Sequence, residues 1–288
     1  MKFPWSKRNG LSVEVAEETS ERTNLQLGCK VSMISETGPT RDSNEDAAIT
    51  LYPNDHYRSV FAMVADGMGG HNAGEVASQL ACHVAKSIVR AKEADLSGAL
   101  LREIAKAANE EIHSASRACP EYEGMGTTAV MLLIDQGEMF HAHIGDSRLY
   151  RLRQRKLSQL TKDHTLVNQM IENGEISAEE AHGHSMKNII TRALGTMQEV
   201  EPEVAVAGMQ VLPGDRFLLC SDGLWEVLTH EELQHLMQLP DIDLVTNCFK
   251  GLCMIRGASD NFSAIVVDIK HDDFSPVSSI TKEQNVLL

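Results

Sequence analysis

The stretch Val60-Phe61-Ala62-Met63-Val64-Ala65-Asp66-Gly67-Met68-Gly69-Gly70-His71-Asn72-Ala73-Gly74-Glu75 decides how the rest of the chain is read. Its first six residues form an unbroken apolar run with the length and composition of a buried strand. The run stops at Asp66, passes four glycines within eight residues, and gives way to a helical pattern from Ala73 to about Ile88. A carboxylate at the end of a buried strand is held rigidly, and glycines beside it let backbone carbonyls and a ligand come close. A hard cation or a phosphate would sit at such a place. Taken alone, the stretch reads equally well as a tight strand-to-helix turn with an exposed aspartate.

Working outward, upstream of this stretch lie a strand over Gly28 to Ile34, a turn at Glu36-Thr37-Gly38-Pro39-Thr40, and the segment Arg41-Asp42-Ser43-Asn44-Glu45-Asp46 leading into a strand through Leu51. Downstream, helical patterns cover 74–91 and 96–117, the second with Leu96, Leu100, Ile104, Ala107 and Ala108 on its apolar face. The run Thr127 to Ile134 is apolar on both alternating faces, which suits a strand covered on both sides. Met139 to Ile144 and Ser147 to Leu152 read as strands about Gly145-Asp146, and short turns between successive strands imply antiparallel pairing. Residues 164–194 are more polar and read as a mostly helical, mobile insertion. Arg216 to Gly223 repeats the theme of an apolar strand ending in Asp-Gly. Helices over 229–238 and 241–255 then lead through Gly257-Ala258-Ser259-Asp260-Asn261 to a last strand, Phe262 to Ile269. Helices in pairs between groups of strands, without βαβ alternation, predict an α+β sandwich of two antiparallel sheets flanked by helices. A mobile N-terminal tail over 1–25, one domain over 26–270 and a polar C-terminal tail over 271–288 complete the layout.

The chain has 288 residues, 42% hydrophobic, and a net charge of −15. No block of lysine and arginine accompanies that charge, which argues against a nucleic-acid partner. Clustered carboxylates suit divalent cations. Six cysteines without a C-x-x-C pair read as reduced core residues, neither a zinc site nor a disulfide framework. No stretch is long and apolar enough to span a membrane, and the basic N-terminus lacks the apolar core of a signal peptide. A cytoplasmic location and a monomer are expected.

Four acids share one context: Asp46, Asp66, Asp222 and Asp260 each fall at a strand edge, and Asp146 in Gly145-Asp146-Ser147 resembles them. Carboxylates at the ends of neighbouring strands cannot all stay charged without cations between them, and oxygen-only donors favour Mg²⁺ or Mn²⁺ over zinc or copper. Two such ions about 3.5–4 Å apart hold a bridging hydroxide for in-line attack on phosphorus. The set Arg41…Asn44-Glu45-Asp46, Asp66-Gly67-Met68-Gly69-Gly70, Gly126-Thr127-Thr128, Gly145-Asp146-Ser147-Arg148, Ser221-Asp222-Gly223 and Asp260-Asn261 resembles the metal-dependent serine/threonine protein phosphatases of type 2C, in their bacterial form. Each motif is weak alone; six in order, spanning roughly residues 29–269, are specific.

The resemblance implies roles. Asp66 should bridge two metals, with the Gly67 carbonyl on one of them. Asp222 and Asp260 should complete the other, and Asp46 and Glu45 should act mostly through water. Asp146 with Asp222 should take a third, weaker ion. Arg41 should grip the phosphate through paired hydrogen bonds, and 164–194 should be the flap over the site. Some family members carry a histidine after Asp-Gly as proton donor; here Met68 stands there, and a thioether donates no proton. His71 is a poor substitute if the turn is tight. The activity implied is hydrolysis of phosphoserine and phosphothreonine in proteins, without a phospho-enzyme, reversing a eukaryotic-like serine/threonine kinase. The rivals are a catalytically silent phosphoprotein-binding relative and a phosphatase dedicated to one regulatory phosphoserine protein. The missing Gly-Lys-Ser/Thr argues against a P-loop. His141-x-His143 reads as cross-strand packing before metal binding, Cys220 as a buried strand residue, His182 and His184 as exposed, and Trp225 as a core residue holding the loop of Asp222.

Overall fold

The computed structural model describes residues 27–53, 58–70, 73–92, 96–205, 207–271 and 286–287. His71 and the tail over 1–25 lie outside them. Two antiparallel sheets form the centre. The larger contains β2 (Asp46–Leu51), β3 (Val60–Met68), β5 (Ala129–Asp135) and β6 (Glu138–Ile144), with short strands β4 (Gly126–Thr127), β9 (Glu203–Val204), β10 (Met209–Gln210) and β13 (Val286–Leu287) at its margins. The smaller has the order β1-β12-β11-β7-β8, made of β1 (Leu27–Glu36), β7 (Arg148–Arg153), β8 (Lys156–Gln159), β11 (Arg216–Cys220) and β12 (Phe262–His271). The two-sheet sandwich read from the sequence is the architecture observed.

Three apolar layers explain why. Val60, Ala62 and Val64 of β3 face Phe217, Leu219, Ile265 and Val267 of the other sheet. Phe61, Met63 and Ala65, on the opposite face of the same strand, meet α1 (Ala73–Ala91) and α2 (Gly98–Ala118) through Ala77, Ala81, Leu101 and Ile104. Because β3 is covered on both faces, its run is apolar at every position, not at alternate ones. Below the smaller sheet, α6 (His230–Leu236) and α7 (Ile242–Arg256) bury Leu233, Val245 and Phe249. Full burial of each such side chain contributes about 1.5–3 kcal/mol.

The helix ends obey local rules. Ser97 caps α2, Thr229 forms a capping box with Glu232 on α6, and Gly257 closes α7 at φ 71°. The segment 164–194 departs from expectation. Only α3 (Leu166–Glu172) and α4 (Ala178–His182) are helical, and the remainder is irregular chain pinned at its ends. Thr191 N–H donates to the His164 carbonyl at 2.8 Å, and Leu194 exchanges two backbone bonds with Thr127. Gly174 and Gly183 interrupt the periodicity that a longer helix would need. At the other end of the chain, Val286–Leu287, inside the expected polar tail, pairs with Ile49 and Ala48 of β2.

Candidate metal and phosphate site

The acids meet where the two sheets end together. Asp46 and Asp66 are register partners across β2 and β3, so both project from the same end of the larger sheet. Asp222 follows β11 and opens the short helix α5 (Asp222–Trp225), while Asp260 precedes β12, so these two come from the smaller sheet. Asp146 lies on the crossover from β6 to β7, where the chain passes between sheets at Gly145 (φ 98°). A side chain at Gly145 would also strike Thr128 Cγ2 at 2.6 Å, so glycine is required on two counts.

Strand β3 does not stop at Asp66, as the sequence reading has it. It continues through Gly67 and Met68, which pair with Thr127 and Gly126 of β4. The glycine after Asp66 therefore serves close approach: a Cβ on Gly67 would lie 2.1 Å from the Gly74 carbonyl oxygen and 2.5 Å from that of Glu45. The start of α1, the end of β3 and the Glu45 backbone are thereby pressed together, and Gly67 N–H donates to the Glu45 carbonyl at 3.1 Å.

Hydroxyl and amide side chains fix the carboxylates. Ser221 Oγ donates to Asp46 Oδ2 at 2.7 Å and accepts from Ser263 N–H at 2.9 Å, tying one sheet to the other. Thr128 Oγ1 accepts from the Asp66 N–H at 3.1 Å and bonds Ser147 Oγ at 2.7 Å, while Thr127 Oγ1 donates to the Asp66 carbonyl at 2.9 Å. Asn261 accepts from Glu45 N–H at 2.8 Å and donates to the carbonyls of Thr37 and Ser43. Arg41 Nη2 pairs with Asp260 Oδ2 at 2.6 Å, and its Nε donates to the Ser259 carbonyl. All seven acidic and glycine positions and Arg41 are thus brought to one end of the sandwich.

Crowding shows in the electrostatics. Burial first, then the charges of Asp222 and Asp260, push Asp46 up to about 7 against the pull of Ser221 and Ser263. Burial raises Asp146 to about 7, with Asp222 adding to it. Burial, Asp260 and Glu226 raise Asp222 to about 6. Asp66, surrounded by Asp46, Asp222, Asp146 and Asp260, is driven well above the carboxylate range, again chiefly by burial. Glu45 is raised by burial, partly offset by Arg41. Asp146 Oδ1 and Asp222 Oδ1 are buried without any hydrogen-bond partner. Buried oxygens without partners and mutually repelling carboxylates call for positive charge between them, so the donor set fits hard divalent ions.

Three residues of this machinery carry weak sequence signals. Thr128, Ser221 and Asn261 sit inside quoted motifs, yet nothing in a linear reading says that their side chains hold the acids. Asp163 has no motif at all, although it grips Arg148 through Nε and Nη2 at 2.6–3.1 Å.

The histidines resolve differently from a metal pair. His143 stacks on His164 with centroids 4.7 Å apart and planes 19° from parallel, and with Glu203 they place donor atoms within 4.8 Å of one another. Stacked rings direct their in-plane lone pairs side by side, not at a common point. His143 Nε2 is engaged by the Lys162 carbonyl and His164 Nδ1 by Gly145 N–H. The stack braces the Gly145 turn, and the partner of His143 is His164 in the loop after β8, not a residue on a neighbouring strand. Burial holds His141 and His164 down at about 4, so both are neutral. Cys220 is buried and its thiol is pushed far up by burial, which removes it as a nucleophile. A concavity of about 1100 Å³ between α2 and residues 198–201, lined by Lys106, His113, Arg117 and Glu199, contains none of the acids.

Comparison with known proteins agrees with this geometry. The serine/threonine protein phosphatase PstP of Mycobacterium tuberculosis is 36% identical over 249 residues, covering 85% of this chain and 46% of that protein. The chain thus spans about half the length of that relative. The serine/threonine phosphatase stp of Listeria monocytogenes is 34% identical over 239 residues, 81% of this chain and 93% of that protein. A crystal structure of the PstP catalytic domain in complex with two manganese ions superposes with a TM-score of 0.75 at 35% identity, covering 85% of this chain and all of that one. Residues 40–249 match the family description Protein phosphatase 2C. A sandwich with its acids gathered at one end, relatives of this similarity and a family match over most of its length lead to one conclusion: the chain belongs to the protein phosphatase 2C family.

Proposed function

We propose that this chain is a Mn²⁺- or Mg²⁺-dependent protein phosphatase acting on phosphoserine and phosphothreonine. The observation that carries the reading is the convergence of Asp46, Asp66, Asp146, Asp222 and Asp260 from both sheets, with unpartnered oxygens on Asp146 and Asp222. Asp66, Asp222 and Asp260 would hold two cations, with the Gly67 carbonyl beside them and Asp46 and Glu45 assisting through water; Asp146 with Asp222 would take a third. When bound, such ions supply Lewis acidity toward water and toward the phosphoryl oxygens.

The chain's own residues do the rest. Arg41 lies half-exposed at the rim, and its pairing with Asp260 holds the guanidinium where a phosphate would arrive. A planar fork matches two phosphoryl oxygens and neutralises charge there. Ser221, Thr128 and Asn261 hold the carboxylates and the Glu45 backbone in place before substrate binds, so little reorganisation remains. Met68 follows Gly67 and donates no proton to the leaving alkoxide. The segment 164–194 would act as a flap that reads the protein around the phosphorylated residue, and Lys187 in it pairs with Glu226 beside α5 at 2.8 Å.

The proposed partners are phosphorylated proteins and the serine/threonine kinase whose work is reversed, the latter by analogy with the family. One chain supplies every proposed ligand, which suits a monomer as the working unit. Free and mostly buried cysteines suit a reducing cytoplasm, and no helix among the described residues is long and apolar enough to cross a membrane. Hydrolysis of a phosphothreonine peptide in Mn²⁺, Mg²⁺, Ca²⁺ or EDTA tests the reading. Turnover in Mn²⁺ that disappears with EDTA supports it; no turnover in any metal by folded protein leaves a phosphoprotein-binding relative.

A further inference from the structure

We propose that Trp225 is a positioning residue for a cation held between Asp146 and Asp222, an inference that rests on the metal-site reading above. These two acids come from different places: Asp146 from the crossover between sheets, Asp222 from the end of β11. One side chain joins them. Helix α5 is a single turn with Asp222 at its first position and Trp225 at its last, and the Trp225 indole N–H donates to the Asp146 carbonyl at 3.1 Å. The two carboxylate oxygens left buried and unpartnered on this side of the site, Asp146 Oδ1 and Asp222 Oδ1, belong to the residues so joined.

The indole is itself held. The Arg148 guanidinium lies 3.5 Å over its ring, a cation–π contact. Arg148 cannot swing away, because Asp163 binds it through Nε and Nη2 and Tyr150 Oη accepts from its Nη1 at 3.0 Å. On the far side of Asp146, Gly145 N–H meets His164 and Ser147 Oγ meets Thr128. The residues on either side of Asp146 are thus restrained, β7 pairs with β11 from Arg148 onward, and the bond from Trp225 reaches from the helix that carries Asp222 to the Asp146 carbonyl itself. Were Trp225 only a packing residue on the lower core, which its ring does touch, a phenyl ring would serve as well.

The test is Mn²⁺ binding to the full chain, followed by the electron paramagnetic resonance of free Mn²⁺, with melting temperature measured in parallel. Wild type should bind two ions tightly and one weakly. Trp225→Phe keeps a ring beneath Arg148 and removes the N–H. It should raise the dissociation constant of the weak ion roughly tenfold, the effect of one lost hydrogen bond, and leave the tight pair as it was. Arg148→Lys keeps the indole donor, loosens its clamp and should weaken the same ion by about threefold. Asp146→Asn should abolish the weak ion. In a Trp5→Phe background Trp225 is the single tryptophan of the chain, and paramagnetic Mn²⁺ should quench its emission along the weak isotherm, a response that Asp146→Asn should remove.

If Asp146→Asn leaves the weak ion bound, the metal reading at Asp146 itself fails. If Asp146→Asn abolishes it while Trp225→Phe and Arg148→Lys match wild type, the metal reading stands and the positioning role is overturned. Equal weakening of all three ions in Trp225→Phe also overturns it, because that is the behaviour of a structural residue. Should Trp225→Phe not fold, Arg148→Lys decides between the same outcomes.

Discussion

Binding of Mn²⁺ to the metal-free protein should expel protons, and the amount follows from the carboxylate cluster. Asp46 and Asp146 titrate near 7 and Asp222 near 6, while Asp66 lies well above the carboxylate range. At pH 7 Asp46 and Asp146 are then each about half protonated and Asp222 about a tenth. A cation needs the ionised form of each ligand. Filling the site at pH 7 should therefore release about one proton from these three acids. Each released proton changes the apparent binding constant about tenfold per pH unit. The affinity for Mn²⁺ should rise steeply from pH 6 to pH 7 and less steeply by pH 8, where Asp46 and Asp146 are already ionised.

The sign also reaches stability. These acids are raised in the folded state, so between the unfolded value near 3.8 and about 7 the folded chain binds more protons than the unfolded one. Metal-free protein should lose stability as pH climbs through that window, and the rise in melting temperature on adding Mn²⁺ should grow with pH. Calorimetric titration in buffers of different ionisation enthalpy measures the protons directly. Proton release near zero at pH 7, with an affinity flat from pH 6 to pH 8, would refute the crowded-carboxylate account.

Three substitutions follow from the same geometry. Thr128→Val keeps the shape but orphans the Asp66 N–H and a partner of Ser147; it should cost about 1–3 kcal/mol, lower the melting temperature by several degrees and weaken Mn²⁺ binding, and a variant as stable and as tight as wild type would contradict it. Gly67→Ala drives a methyl group into two backbone carbonyls at 2.1 and 2.5 Å; since neither can retreat without moving α1 or Glu45, a loss of about 1–3 kcal/mol or more and of metal binding is expected in thermal melts and Mn²⁺ titration. Arg41→Ala should raise KM for a phosphothreonine peptide roughly ten- to a hundredfold, the range for a lost charge-assisted bond, with kcat less affected and Arg41→Lys recovering part; an unchanged KM would remove Arg41 from the phosphate site.

Much of this architecture could be read from the chain, and the reasons are specific. Val60 to Ala65 is apolar at every position because β3 is covered on both faces, so the central strand announces itself. The strand-edge acids stand beside glycine or asparagine, which marks turns and close approach, so Asp66, Asp146, Asp222 and Asp260 are visible individually. Their convergence is a property of the two-sheet arrangement, and periodicity does not encode which strand ends meet. The motifs that resemble the family supply that step.

The parts that were not legible rest on long-range partners. β3 runs on through Gly67 and Met68 because β4, some sixty residues later, is there to pair with them. Thr128, Ser221 and Asn261 act through hydrogen bonds to residues 62, 175 and 216 positions away. The stretch after Gly183 is irregular where the sequence predicts mostly helix, because its form is set by backbone bonds to His164 and Thr127.

The most direct test of the central claim counts metal and turnover in the same preparation. Wild type and Asp66→Asn would be loaded with Mn²⁺, the bound ions counted, and hydrolysis of a phosphothreonine peptide followed in parallel. Wild type should hold two tightly bound ions and turn over steadily, and Asp66→Asn should lose both together while the fold persists by circular dichroism. Turnover that survives in Asp66→Asn, or in wild type stripped of all bound metal, would contradict it.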